Sequence, residues 1–219
     1  MPAKNANPPS GPSTRCGQPD LPWSGRGTRL GIFGCRFSLY PMTDRYAEVI
    51  LSALAETDAS KVFAQTDALS SLYRGKLVHV IDALRGLFAR ASRPGLHLVM
   101  EGQISKGCPG DSDGDSFLAE DDLPLNRPLI ADLRLPVMAK IALYPLGAQN
   151  YIDLIAEVVR MAERAGLNPR TIHYATRLSG DLNRVMDFLE EISRFLEPRS
   201  NHYVLTFTVS AGSPTQEKA

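Results

Sequence analysis

Apolar side chains along this chain switch between a two-residue and a three-to-four-residue spacing, and the switching runs through the same order twice. From Gly31 to Met42, Ile32, Phe33, Phe37, Leu39 and Tyr40 fall at strand periodicity around Arg36, and Pro41 closes the run. Tyr46, Val49, Ile50, Ala53 and Leu54 then predict an amphipathic helix to about Thr57, with Asp44 as its N-cap. Lys61–Thr66 and Leu69–Arg74 read as two strands turned near Asp67-Ala68 and ended by Gly75. Leu77, Val80, Ile81, Leu84, Leu87 and Phe88 predict a second helix. Arg90 and Arg93 complement its dipole, and Pro94-Gly95 stops it. Leu96–Ser105 is the last strand, so the unit is β-α-β-β-α-β. The second half predicts strands at about 137–144, 167–177 (a hairpin with a short first arm) and 202–210, with helices at about 148–165 and 181–196.

The halves also match residue by residue. Leu39-Tyr40-Pro41 returns 104 positions later as Leu143-Tyr144-Pro145, and after a one-residue insertion the spacing holds at 105. Tyr46 then matches Tyr151, Ile50 matches Ile155, Gly75 Gly180, Leu77 Leu182, Asp82 Asp187, Leu84 Leu189 and His97 His202. Ser105-x-Gly107-x-Pro109 matches Ser210-x-Gly212-x-Pro214. The element order is that of a ferredoxin-like fold, in which two helices cover one face of a four-stranded antiparallel sheet. The expectation is therefore an α+β protein of two tandem ferredoxin-like domains. Residues 29–106 and 135–212 form the repeats, 107–134 an ordered linker loop, 1–28 a disordered arm and 213–219 a tail. Phe37, Leu39, Val99 and Val204 suggest apolar open sheet faces that pack on one another, within the chain or between subunits of a homodimer.

Composition narrows the function classes. At 219 residues and 43% apolar content the chain can bury one large core or two small ones, and the repeat selects two. Lys plus Arg equals Asp plus Glu at 24 each, so no broad basic field draws nucleic acid or an anionic membrane. Cys16, Cys35 and Cys108 are odd in number and lack metal-ligand spacing, which fits reduced thiols in a cytoplasmic protein, with Cys35 a core thiol. The N-terminal arm, Trp23 included, is rich in Pro, Gly, Ser and Asn and carries no signal-peptide core. No stretch approaches the length of a membrane span. In the linker, Asp111-x-Asp113-x-Asp115 invites a calcium reading. A calcium loop of that type needs Gly and Glu where Ser116 and Asp122 stand, so a solvated crossover loop without metal is expected.

Several segments together carry a family resemblance: Arg36–Asp44, Thr57-Asp58-x-Ser60-Lys61-Val62, Arg74-Gly75, Gly107–Asp111 with Gly114-Asp115, Ala142–Pro145, and His173-Tyr174-Ala175. In this order and spacing, from about residue 31 to 214, the chain resembles the YkoF family of thiamine and hydroxymethylpyrimidine-binding proteins. The resemblance implies a non-enzymatic binder, assembled as a homodimer, with one vitamin site per domain. It also implies a role in salvage of the pyrimidine moiety coupled to an uptake transporter, and no cofactor beyond the ligand. Ligand contacts carried over from the family fall on Leu39 and Ser71 in the first repeat and on Leu143 and Thr176 in the second.

That chemistry is reasonable for these residue types. An aminopyrimidine presents an amine donor beside ring-nitrogen acceptors, which a strand N–H and C=O can read with a hydroxyl alongside. Tyr40 and Tyr144 are candidates to stack on the pyrimidine or the cationic thiazolium, although core packing is their favoured role. The pockets are expected between the sheet and the dimer partner. Arg177 and Ser179 stand where the first repeat has Leu72 and Arg74, which predicts sites of different charge.

Two other classes remain open on sequence alone. Dimeric ferredoxin-like proteins also serve as monooxygenases and hydrolases. Here His79, His97, His173 and His202 have no triad or metal spacing, and His97 and His202 read as a shared structural hydrogen bond. Gly25-Arg26-Gly27 lies in the arm and makes no phosphate loop. An amino-acid-sensing regulatory module shares the β-α-β-β-α-β unit, but its ligand requires a clamp for both carboxylate and ammonium.

Overall fold

Each apolar periodicity becomes the element it predicts. The computed structural model describes residues 31–108 and 114–215; the N-terminal arm with Cys16 and Trp23, and Asp111 and Asp113 of the aspartate run, lie outside the described residues. The first repeat comprises β1 (Phe33–Pro41), α1 (Tyr46–Glu56), β2 (Phe63–Thr66), β3 (Ser71–Gly75), α2 (Leu77–Ala91) and β4 (Leu98–Lys106). The second comprises β5 (Pro136–Leu146), α3 (Tyr151–Arg164), β6 (Arg170–Ile172), β7 (Ala175–Asp181), α4 (Leu182–Leu196) and β8 (His202–Ala211). Asp44 is not the cap of α1. That position falls to Arg45, whose side chain makes no cap hydrogen bond, while Asp44 accepts from the Thr43 hydroxyl in the preceding turn. At α4 the cap is Asp181, which accepts from the Asn183 N–H.

The two ferredoxin-like units join edge to edge. Strand order is β2-β3-β1-β4-β8-β5-β7-β6, and every neighbouring pair is antiparallel. The seam is β4 against β8, from Leu98 opposite Ala211 to Lys106 opposite Tyr203. Helices α2 and α4 meet across it, so one continuous core underlies both repeats in place of the two small cores expected, with Met100, Ile104, Leu205 and Val209 fully buried along the seam.

Alternation along the strands corrects part of the predicted open face. Phe37 and Leu39 turn toward the helices, where Phe37 is buried and Leu39 packs against the core. Val99 and Val204 do take the helix-free face, alongside Arg36, Glu101, Gln103, Lys140, Thr206 and Thr208. Among the described residues no element covers this face, because the repeats have combined through their edges. Most of its named residues are polar or charged. Tyr40 and Tyr144 share it, 45% and 50% exposed, so core packing does not hold for them.

The linker folds back over the first repeat. Asp82 on α2 accepts from the backbone N–H groups of Leu125, Asn126 and Arg127. Asn126 is fully buried and donates to the Asp58 carbonyl. Lys61 pairs with Asp121 at 2.6 Å, and Lys76 with Asp122 at 3.0 Å. Phe117 forms a parallel bridge to Gly75, and a Cβ at Gly75 would lie 2.5 Å from the Phe117 carbonyl oxygen, which explains glycine there. The repeat partner of Asp82 has a different role: Asp187 accepts from Arg85 at 2.6 Å and from Arg127 at 2.9 Å, tying the repeats and linker together.

Candidate functional site

A cavity of about 590 Å³ opens between β5, α3 and the β6–β7 hairpin of the second repeat. Strand β5 outruns its neighbour here, since its pairing with β7 stops at Ile141 opposite Thr176. The Ala142 carbonyl is turned toward β8, where it accepts from the Thr206 hydroxyl. Alternation therefore turns the Leu143 N–H and C=O the other way, past the end of the β7 ladder and beside Thr176. Leu143 and Thr176 both line the cavity. The sheet and α3 of one chain line it.

The remaining walls are apolar, with Ile155 and Val158 of α3 opposite the hairpin and Tyr151 and Tyr174 at the mouth. Among the described residues that line it, none carries a charge. Arg177 and Ser179 project from the other face of β7, so the predicted charge difference between repeats falls outside this cavity. Tyr151, Ile155 and Tyr174 were not singled out as site residues from sequence. The signal was present, since Tyr151 and Ile155 recur as repeat partners of Tyr46 and Ile50 and Tyr174 lies in a motif of the family resemblance.

In the first repeat, Leu39 and Ser71 occupy the corresponding helix-facing positions. Pairing of β1 with β3 again stops just short of the leucine, at Phe37 opposite Ser71. The Ser71 hydroxyl lies 2.8 Å from that of Thr66. Phe37, whose counterpart Ile141 lines the second cavity, packs its ring 4.8 Å from that of Tyr73. Two rings thus stand where the second repeat has Ile141 and Leu178.

Other candidate groups disperse. His97 Nε2 lies 3.1 Å from the Ser210 hydroxyl, His79 Nε2 2.9 Å from the Asp121 carbonyl, and burial lowers the His202 pKa. Cys35 is fully buried and desolvation raises its thiol pKa, which suits a core position. Among the described residues no group of three or more His, Cys, Asp or Glu is placed to hold a metal, and no helix is long and apolar enough to cross a membrane.

Comparison with known proteins follows the same repeat. The model of the YKOF-related family matches residues 32–111 and again 136–216. The chain is 41% identical over 186 residues to the Bacillus subtilis (strain 168) protein named "Putative HMP/thiamine-binding protein YkoF", covering 85% of this chain and 93% of that one.

Proposed function

Because the chain belongs to the YKOF-related family, we propose that it binds thiamine or its hydroxymethylpyrimidine moiety, one molecule per repeat, and makes or breaks no bond in it. The observation that carries this reading is the second cavity. Its 590 Å³ lies within the roughly 300–1,000 Å³ of small-molecule sites. It offers a strand backbone pair at Leu143 and a hydroxyl at Thr176 for the edge of an aminopyrimidine, with apolar walls for the ring. Tyrosine faces at the mouth suit a thiazolium cation. Leu39 and Ser71 supply the equivalent groups in the first repeat.

An uncharged lining also favours this ligand over the rivals. An amino acid would bury a carboxylate and an ammonium with no partner of opposite charge, which is costly. A hydrolase or monooxygenase needs a positioned acid, base or cofactor, and the cavity presents only hydroxyl, phenol and backbone groups. For the same reason the phosphates of thiamine diphosphate gain no ion pair inside it.

Vitamin salvage in the cytoplasm, supplied by an uptake transporter, completes the proposal, with the free thiols of Cys35 and Cys108 favouring a reducing compartment. So does a homodimer through the open sheet face. There Glu101 and Lys140 flank Thr208 across the seam, so a two-fold apposition can set each Glu101 against the partner's Lys140. Sedimentation equilibrium reads the assembly directly, and a monomer at all concentrations removes that part. The main test is isothermal titration of the full chain with thiamine, hydroxymethylpyrimidine, thiamine diphosphate and a panel of amino acids. Saturable heat is expected with the first two, near two equivalents per chain, with the diphosphate binding no tighter than thiamine and the amino acids silent. Absence of heat with both pyrimidine compounds would overturn the reading.

A further inference from the structure

Between the paired residues Ile172 and Ala175, the β6–β7 hairpin turns in two residues, His173 and Tyr174. Tyr174 holds a φ of +66°, in the left-handed region where a bulky side chain meets its own backbone. Turns of this shape ordinarily select Gly or Asn. The side chain gains little in return within the chain, for it is 97% exposed and its ring meets that of His173 at 6.2 Å. A strained, bulky and solvent-facing aromatic calls for a compensating role elsewhere. Its place supplies one, because Tyr174 borders the mouth of the second cavity together with Tyr151 on the facing wall.

The first repeat lacks this device. Its hairpin spans four residues from Asp67 to Ser70, and the Asp67 carboxylate accepts from the Leu69 and Ser70 N–H groups to hold the turn. Leu69 is the large exposed side chain there, without a ring.

We infer that Tyr174 is the closing residue of the second site: its ring folds over a planar, cationic heteroaromatic held at Leu143 and Thr176 and sets how long that ligand stays. This inference rests on the ligand-binding reading above. The left-handed backbone fixes the direction in which Cβ leaves the hairpin, so closure needs only rotation about the side-chain bonds, a fast motion. Opposite Tyr151, the ring completes an aromatic pair around the cation and removes one face of the ligand from water. A neutral pyrimidine gains the cover without the cation–π attraction. Association is left nearly unchanged, because the open ring does not block entry, and the effect falls on dissociation.

Stopped-flow dissociation of thiamine from the full chain tests this, comparing the natural protein with Tyr174→Gly and Tyr174→Phe. The glycine variant is expected to release thiamine from one class of site at least tenfold faster and hydroxymethylpyrimidine by a smaller factor. Its melting temperature without ligand should equal or exceed that of the natural protein, since backbone strain is relieved. The phenylalanine variant, which keeps the ring, should release thiamine at close to the natural rate. Natural thiamine release from the glycine variant overturns the inference alone, as does a phenylalanine variant as fast as the glycine one. A natural protein that takes up neither compound overturns the ligand-binding reading, and this inference with it.

Discussion

At the scale of single residues, the proposed site depends on small groups placed where a ladder ends. Thr176 is the last residue of β7 paired with β5, and the next outward-turned backbone pair belongs to Leu143. On the proposed binding mode, replacing Thr176 with Ala removes one neutral hydrogen bond to ligand and should weaken the second site by about 0.5–1.5 kcal/mol, whereas Thr176→Ser should restore it. Ser71→Ala should act on the first site by a similar amount and leave the second intact. Calorimetric titration resolved into two classes of site reads both effects, and an unchanged isotherm for either alanine variant would remove that residue from the site. The repeat and the family resemblance singled out Leu143 and Thr176 from the sequence, and both line one cavity. Tyr174 escaped because the role inferred for it rests on a backbone angle and an exposure, neither of which a residue type announces. Tyr40 and Tyr144 misled for a related reason: alternation gives the face of a strand, but only the arrangement of the repeats decides whether that face meets solvent.

At the scale of elements, the periodicities located all twelve strands and helices named above, with boundaries shifted by a few residues at most elements. What they did not give was the destination of the linker. Its docking depends on contacts far apart in sequence, such as Asn126 with Asp58 and Lys61 with Asp121, and no local spacing encodes these. Those contacts make docking sensitive to acid. The Asp121 carboxyl is held below its ordinary value first by its hydrogen bond from Lys61, and Asp122 likewise by Lys76. Both groups bind protons more readily in the unfolded chain, so their stabilising contribution is complete above the ordinary value of 3.8 and fades as pH falls through their lower folded values. Limited proteolysis across residues 114–126 should therefore speed up below about pH 4 before the sheet unfolds. Protection that stays constant until global unfolding would show that Asp82 and Asn126 hold the linker without the two ion pairs.

Across the whole molecule, the repeats behave as one body to the extent that the seam and the Arg85–Asp187 pair hold. Arg85 is 2% exposed, and among the described residues its Nε and Nη1 atoms have no hydrogen-bond partner, so nearly all of its compensation there comes from Asp187. Asp187→Ala leaves a buried cation uncompensated and should cost about 3–5 kcal/mol, read as a lowered denaturant midpoint. Pairing Arg85→Met with Asp187→Leu should recover most of that loss, because an apolar pair of similar bulk needs no partner. A double variant as unstable as Asp187→Ala would instead show that the link from Asp187 to Arg127 carries the effect.

Edge-to-edge union also settles a hazard of β-proteins. A lone repeat would present the nine residues of β4 as an unpaired template for any passing strand. In the joined chain both long edges are used up, and the outermost strands are β2 and β6, only four and three residues long. An ancestral gene encoding a single unit would have been driven to pair with itself along β4. Duplication then keeps that pairing while tying the partners together, which frees the two halves to drift apart, one toward Phe37 and Tyr73 and the other toward Ile141 and Leu178.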